Sequence, residues 1–242
     1  YDFMTETYFT YVFDAKKRLQ SYTKDNKVVE VYDTEYEMLN KFFQKYLEIK
    51  PTILSGWNSD FFDIPYLYNR AVNVLGVSVA NLLSPISEVY YNEFKKRYVI
   101  AGVSCLDYLS LYRKFSFSQQ SSYRLDYIGE MELGEKKVAY EGSLDRLYNH
   151  DFQKFLEYNI QDVMLIANMD KKLQFIDLAN TIAHDNTVLL FTTMGAVATT
   201  EQAIINEAKW QAAKIFCKRQ GVGFRVLTEN ELFNNPKKRK RA

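Results

Sequence analysis

Two cysteines, two histidines and four prolines in 242 residues exclude several classes of chemistry. Cys105 and Cys217 lie far apart and outside any paired spacing, which argues against a disulfide framework or a zinc knuckle and predicts two reduced, buried thiols. With His150 and His184 the only histidines, a centre built on several imidazoles is excluded. Any metal therefore falls to carboxylates, the ligands of Mg²⁺ or Mn²⁺. No apolar run approaches the roughly 20 residues that cross a bilayer. The start Tyr1-Asp2-Phe3-Met4-Thr5-Glu6 has no basic segment leading into an apolar one, so a cytoplasmic protein without a membrane partner is expected. Internal repeats and low-complexity linkers are also absent.

What is present is a globular composition, 47% hydrophobic and 25% charged, in a chain long enough for one substantial core or two modest ones. The formal net charge is +1, but Lys237-Lys238-Arg239-Lys240-Arg241 supplies five positive charges and leaves −4 for the rest. An acidic body does not look like a non-specific nucleic-acid coat, although metal ions can neutralise phosphate locally.

Along the chain, Tyr8 to Phe13 and Val28 to Tyr32 alternate like strands, and the polar loop between them predicts a hairpin. Thr34 and Glu37 form a capping box ahead of the helical stripe Met38, Leu39, Phe42, Phe43, Tyr46 and Leu47, which Pro51 ends. Thr52 to Trp57 reads as a buried strand entering a turn, followed by a helix from Pro65 to about Leu75. Glu88 to Ala101 reads as a hairpin with a charged tip, Glu93 to Arg97, before the run Gly102 to Asp107. Tyr108 to Phe115, Tyr123 to Met131 and Ser143 to Gln174 have helical patterns, giving an α/β or α+β layer fold. Composition changes near Asn206. Beyond it come an amphipathic helix from Lys209, a strand Phe224 to Leu227 and the basic end.

Two stretches carry chemistry. In Gly56-Trp57-Asn58-Ser59-Asp60-Phe61-Phe62-Asp63, an acid sits at a strand-to-helix junction, where a plain helix cap is the simplest role for it. In Tyr158-Asn159-Ile160-Gln161-Asp162, a spacing of four puts a phenol and a carboxylate on one helix face, an arrangement that a surface pair also adopts. Together, an Asn-x4-Asp at a strand end and a Tyr-x3-Asp on a later helix resemble the second and third exonuclease motifs of family B DNA polymerases. The resemblance extends through Leu106-Asp107-Tyr108, Leu111 to Phe117, Tyr123 to Ile128 and Tyr158 to Met169, in the order found in T-even-type bacteriophage enzymes. It covers residues 1 to about 205, the expected 3′–5′ exonuclease domain, with 206–242 as a divergent helix-strand tail.

The resemblance implies a ribonuclease H-like fold of the DEDD class, a mixed sheet flanked by helices with an inserted β-hairpin. It also implies a proofreading activity in which two Mg²⁺ or Mn²⁺ ions hydrolyse the 3′-terminal phosphodiester of a single-stranded or frayed DNA end. By this likeness Asp162 holds the nucleophile-side metal and Asp63 the second through water. Tyr158 orients the attacking water, and Glu157 stands where the histidine subclass would have its histidine. Lys137, or its neighbour Lys136, stabilises phosphate charge, unless it is a solvated loop lysine. Asn58 positions the terminal nucleotide or simply shapes its turn. Phe62, with Phe61, stacks on a base, and at least one of the two phenylalanines belongs to the core. The tip at Glu93 to Arg97 resembles the element that parts primer from template, and a solvated tip would look the same.

The first motif of such a domain, Asp-x-Glu on a central strand, is expected upstream of Tyr1. One Asp-x-Glu, Asp33-Thr34-Glu35, does occur, but the capping box places it at an exposed helix start. No Asp-Thr-Asp-Ser or Ser-Leu-Tyr-Pro type sequence of a polymerase palm follows residue 205, so the palm, fingers and thumb are expected as a partner in the same or a separate chain. Trp210 to Leu232 has a short likeness to the end of small phage or transposon-type endonucleases. Two functions follow from different classes: an exonuclease portion that is inactive alone, or a catalytically silent DNA-binding or polymerase-assembly module.

Overall fold

In a computed structural model that describes residues 1–116, 118–134 and 142–226, the chain opens with β1 (Tyr8–Phe13), β2 (Tyr22–Lys24) and β3 (Lys27–Tyr32). The hairpin expected between the first and last of these is not formed. β1 and β3 pair in parallel, Tyr8 opposite Lys27 and Phe13 opposite Tyr32, while the short β2 makes the antiparallel pair with β3. Residues 14–26 form the crossover that parallel pairing demands. Asp14, 1% exposed, fixes it by accepting from the Leu19 N–H at 2.9 Å and from Arg18 Nε at 2.9 Å.

Because side chains alternate along a strand, this mixed sheet has two faces. Tyr11 meets Phe42 of α1 (Glu35–Ile49) edge to face, with ring centroids 6.0 Å apart. Val12 and Val29 pack on the other side with Phe152, Leu156 and Ile160. α1 starts as its capping box predicts: Thr34 Oγ1 accepts from the Glu37 N–H at 3.2 Å.

β4 (Ile53–Gly56) leads through a turn into α2 (Asp63–Leu75). A short helix α3 (Val77–Ala80) and a 3-10 turn follow, then the antiparallel pair β5 (Val89–Asn92) and β6 (Arg97–Ile100). β7 (Ser104–Asp107) returns to pair in parallel with β4, Ile53 opposite Ser104 and Gly56 opposite Asp107. Phe43, Ile64, Tyr68, Ala71, Leu83, Val89 and Ile100 make a core joining α1, α2 and the β5–β6 pair.

The helical half comprises α4 (Tyr108–Phe115), α5 (Leu125–Leu133), α6 (Leu144–His150), α7 (Phe152–Leu173) and α8 (Phe175–Asn186). The expected single stretch from Ser143 to Gln174 breaks at Asp151, which ends α6 and caps α7 by accepting from the Lys154 N–H at 3.0 Å. α9 (Ala196–Arg219) closes the regular structure. The chain forms two compact units, Tyr1–Asn180 and Thr181–Ala242, divided inside α8, whereas the composition change near Asn206 falls within the unbroken α9. Phe224, Arg225 and Val226, expected to begin a strand, are in none; Leu227 and the basic run lie outside the described residues. Both cysteines are free thiols, but half-buried rather than buried. Among the described residues no helix is long and apolar enough to cross a membrane.

Candidate functional site

The parallel strands β4 and β7 end side by side, and the segment after each one turns sharply toward the same place. Such paired carboxyl ends are where open α/β sheets commonly place ligands. After β4 the chain folds back so tightly that a Cβ on Gly56 would stand 3.0 Å from Ser59 Cβ. Asn58 adopts a left-handed conformation, φ 63°, which asparagine tolerates better than most residues. Its carbonyl accepts from the Phe62 N–H at 3.1 Å. The turn releases the chain into α2 with Asp63 as the first helical residue, where the helix dipole favours a negative charge.

Asp107, at the end of β7, organises this turn. Only 4% exposed, its Oδ1 accepts from the Asn58 N–H at 3.1 Å and from the Leu109 N–H at 2.9 Å, so one carboxylate both shapes the turn and caps α4. Burial raises its carboxyl above the ordinary aspartate value, against the pull of those N–H donors. Asp63 is raised too, first because the protein walls around it exclude water and then by the nearby charge of Asp107. The Trp57 indole N–H, on the same turn, donates to the Tyr123 carbonyl at 3.1 Å.

Across from the turn stands α7. At about 100° per residue, Phe152, Leu156 and Ile160 share the stripe that packs on β1 and β3, whereas Tyr158 and Asp162 lie on the far side of the helix. There they line a cleft of about 1060 Å³ together with Asn58, Phe62 and Asp63. The cleft thus brings together five of the six residues singled out in the sequence. The sixth, Lys137, lies outside the described residues, as does Lys136.

Other expectations fare differently. Phe61 and Phe62 are 62% and 67% exposed, so neither is a core residue; Ile64, Tyr68 and Ala71 fill that place from α2. Arg97 does not belong to a solvated tip but begins β6 and pairs with Asp60, itself 5% exposed. Asp33 pairs with Lys17 at 3.1 Å and Glu35 pairs with Arg70, at the start of α1. Glu157 is bonded to Gln153 at 3.1 Å on the exposed face of α7. Asp107, Asp60 and Arg97 shape the site, and the sequence alone assigns none of them a site role. The signals for Asp107 were its place at the end of an apolar run and the start of a helix, and the likeness through Leu106-Asp107-Tyr108.

The carboxylates that line the cleft, Asp63, Asp126, Asp162 and Asp170, and phenols such as that of Tyr158 are hard oxygen groups suited to Mg²⁺ or Mn²⁺. Among the described residues, however, no three His, Cys, Asp or Glu side chains converge where they could hold a metal ion.

Comparison with known proteins finds a match to the family "DNA polymerase family B, exonuclease domain" over residues 3–128. The chain is similar to the DNA-directed DNA polymerase of Escherichia phage RB69, 38% identical over 74% of this chain and 21% of that protein. It is 32% identical to the DNA-directed DNA polymerase of Enterobacteria phage T4, over 76% of this chain and 21% of that protein. A likeness over a shorter stretch, 34% identity over 60% of this chain and 16% of the relative, is to DNA polymerase 1 of Saccharolobus solfataricus. The matched region therefore spans about a fifth of the length of the phage polymerases.

Proposed function

Because the chain belongs to the family B DNA polymerase exonuclease domain, we propose that by itself it is a catalytically silent part of a 3′–5′ proofreading module, one side of a two-metal site. The observation that carries this reading is the cleft: Asp63, Tyr158 and Asp162 line it, as do Asp126 and Asp170, yet among the described residues no three acidic, histidine or cysteine side chains converge where they could hold a metal ion. Carboxylates that do not converge fall short of the set that clamps a metal pair about 4 Å apart. In this reading residues 1 to about 205 form a ribonuclease H-like domain, and the segment from 206 is a separate tail.

Were a strand carrying Asp-x-Glu to complete the cleft, Asp162 and Asp63 would contribute to holding two Mg²⁺ or Mn²⁺ ions, which would supply the Lewis acidity for phosphodiester hydrolysis. The protein's own part is placement. Tyr158 directs its hydroxyl toward the water position, Asn58 and the exposed ring of Phe62 hold the terminal nucleotide of a single-stranded or frayed 3′ end, and Lys137 balances phosphate charge. The Phe94-tipped hairpin of β5 and β6 lies beside duplex DNA, and palm, fingers and thumb form the polymerase partner in a phage-infected cytoplasm. A 5′-labelled single-stranded oligonucleotide with Mg²⁺ tests the proposal. The chain alone is expected to leave it intact, and an added upstream Asp-x-Glu segment to produce stepwise shortening that Asp162→Ala abolishes. Robust shortening by the chain alone that disappears in Asp33→Ala would overturn it.

A further inference from the structure

The turn between β4 and α2 is held from two sides. From β7, the Asp107 carboxylate grips its backbone through the Asn58 N–H at 3.1 Å. From β6, the Arg97 Nη1 donates to Asp60 Oδ2. Asp60 is 5% exposed, and its other oxygen, Oδ1, is buried without a hydrogen-bond partner among the described residues. Arg97 is thus the side chain that answers this carboxylate. The next residue, Tyr98, fastens the same strand to α2: its ring lies 4.9 Å from that of Tyr68, and its hydroxyl donates to Asn69 Oδ1 at 2.9 Å. The half-buried Cys105 of β7 senses both partners, its thiol pushed up to about 11 by burial first and then by Asp60, with Arg97 opposing.

We propose that Arg97 is a positioning residue: its ion pair with Asp60 fixes the β4–α2 turn against the β5–β6 hairpin and so sets where Asn58 and Asp63 stand in the cleft. A turn carrying an inward charge is stable in one place only, because any movement that separates Asp60 from Arg97 strands a carboxylate in a poorly solvated position. The hairpin and the catalytic turn therefore move as one body. Contact at the exposed hairpin tip, where Phe94 is 95% exposed, is passed to the turn through this pair. The assignment of the turn to a nuclease rests on the reading above, but the mechanical link does not.

Trp57 lies in the turn and reports on it directly; in a Trp210→Phe background it is the sole tryptophan. Acrylamide quenching of its fluorescence needs neither metal nor DNA, so its outcome is separate from the fate of the nuclease reading. Arg97→Met is expected to raise the quenching constant about twofold by local opening of the turn. Asp60→Asn/Arg97→Met is expected to do the same without leaving a bare buried charge, and it serves as the deciding variant if Arg97→Met fails to fold. Arg97→Lys, which keeps the cation, should retain parental quenching. A folded double variant quenched at the parental rate overturns the proposal, as does a lysine variant quenched as fast as the methionine one.

Discussion

Asp107 shows how much one buried acid can govern. It satisfies the N–H of a left-handed asparagine on one side and the first turn of a helix on the other. Asp107→Ala should lower unfolding free energy by about 2 kcal/mol, because both donors lose their acceptor. Asp107→Asn keeps an acceptor oxygen and should cost less; urea titrations of the two variants check the order.

Among the described residues Asp63 accepts no such pair of N–H donors from the turn and the next helix, and its charge is a liability to the fold. Its carboxyl is raised in the folded state, chiefly by desolvation, so the native protein favours the protonated form. Its contribution to stability is fully present below the ordinary aspartate value of 3.8 and is lost as pH rises through the raised folded value. Asp63→Asn should therefore melt higher than the parent near neutral pH, with the gain fading as the pH approaches 3.8. A melting-temperature difference that stays constant across that range would contradict this. Such a gain is what removal of a strained functional charge yields.

Among the elements, the sequence is most legible where local chemistry and tertiary demand agree. The capping box of α1, the strand β4 and the full span Tyr108–Phe115 of α4 stand where patterning places them. Asn58 with Asp63 and Tyr158 with Asp162 were candidates from spacing and likeness, and all four line the cleft. The pairing of β1 with β3 was not, because alternation marks a strand without giving its direction. What decides the direction is the crossover around Asp14, whose carboxylate bonds the chain ahead of it. Asp60 with Arg97 escaped notice because they are 37 residues apart, a distance at which local pattern carries no information.

The same crossover offers an element-scale test. Arg18 pairs with Asp14, lies 3.5 Å over the Phe152 ring and donates to the Tyr148 carbonyl at 3.0 Å, joining the loop to α6 and α7. Arg18→Ala should cost about 2 kcal/mol, since it removes a stacked cation and leaves an enclosed carboxylate unpaired. Amide hydrogen exchange should localise the loosening to residues 14–26.

At the scale of the molecule, charge is unevenly distributed: five of the cations lie in Lys237 to Arg241, and the remainder of the chain is net acidic. Any binding of single-stranded DNA by this chain alone should then be salt-sensitive and should depend on that run. Removing Lys237 to Arg241 is expected to reduce the dependence of log affinity on log salt by about 3.5, at roughly 0.7 per neutralised phosphate. An unchanged slope in fluorescence anisotropy titrations would place the contacts on the acidic body instead.

α7 is, in mechanical terms, a camshaft. Phe152, Leu156 and Ile160 are its bearing against the sheet, while Tyr158 and Asp162 are the lobes on its other side. With side chains carried about 6 Å from the axis, a roll of roughly 10° sweeps both lobes through ~1 Å. In an assembled nuclease of the kind proposed above, a misplacement of that size would cost about a hundredfold in rate. The tolerance of this site is therefore set at its bearing, where a single methylene trimmed from Ile160 would be felt by both lobes.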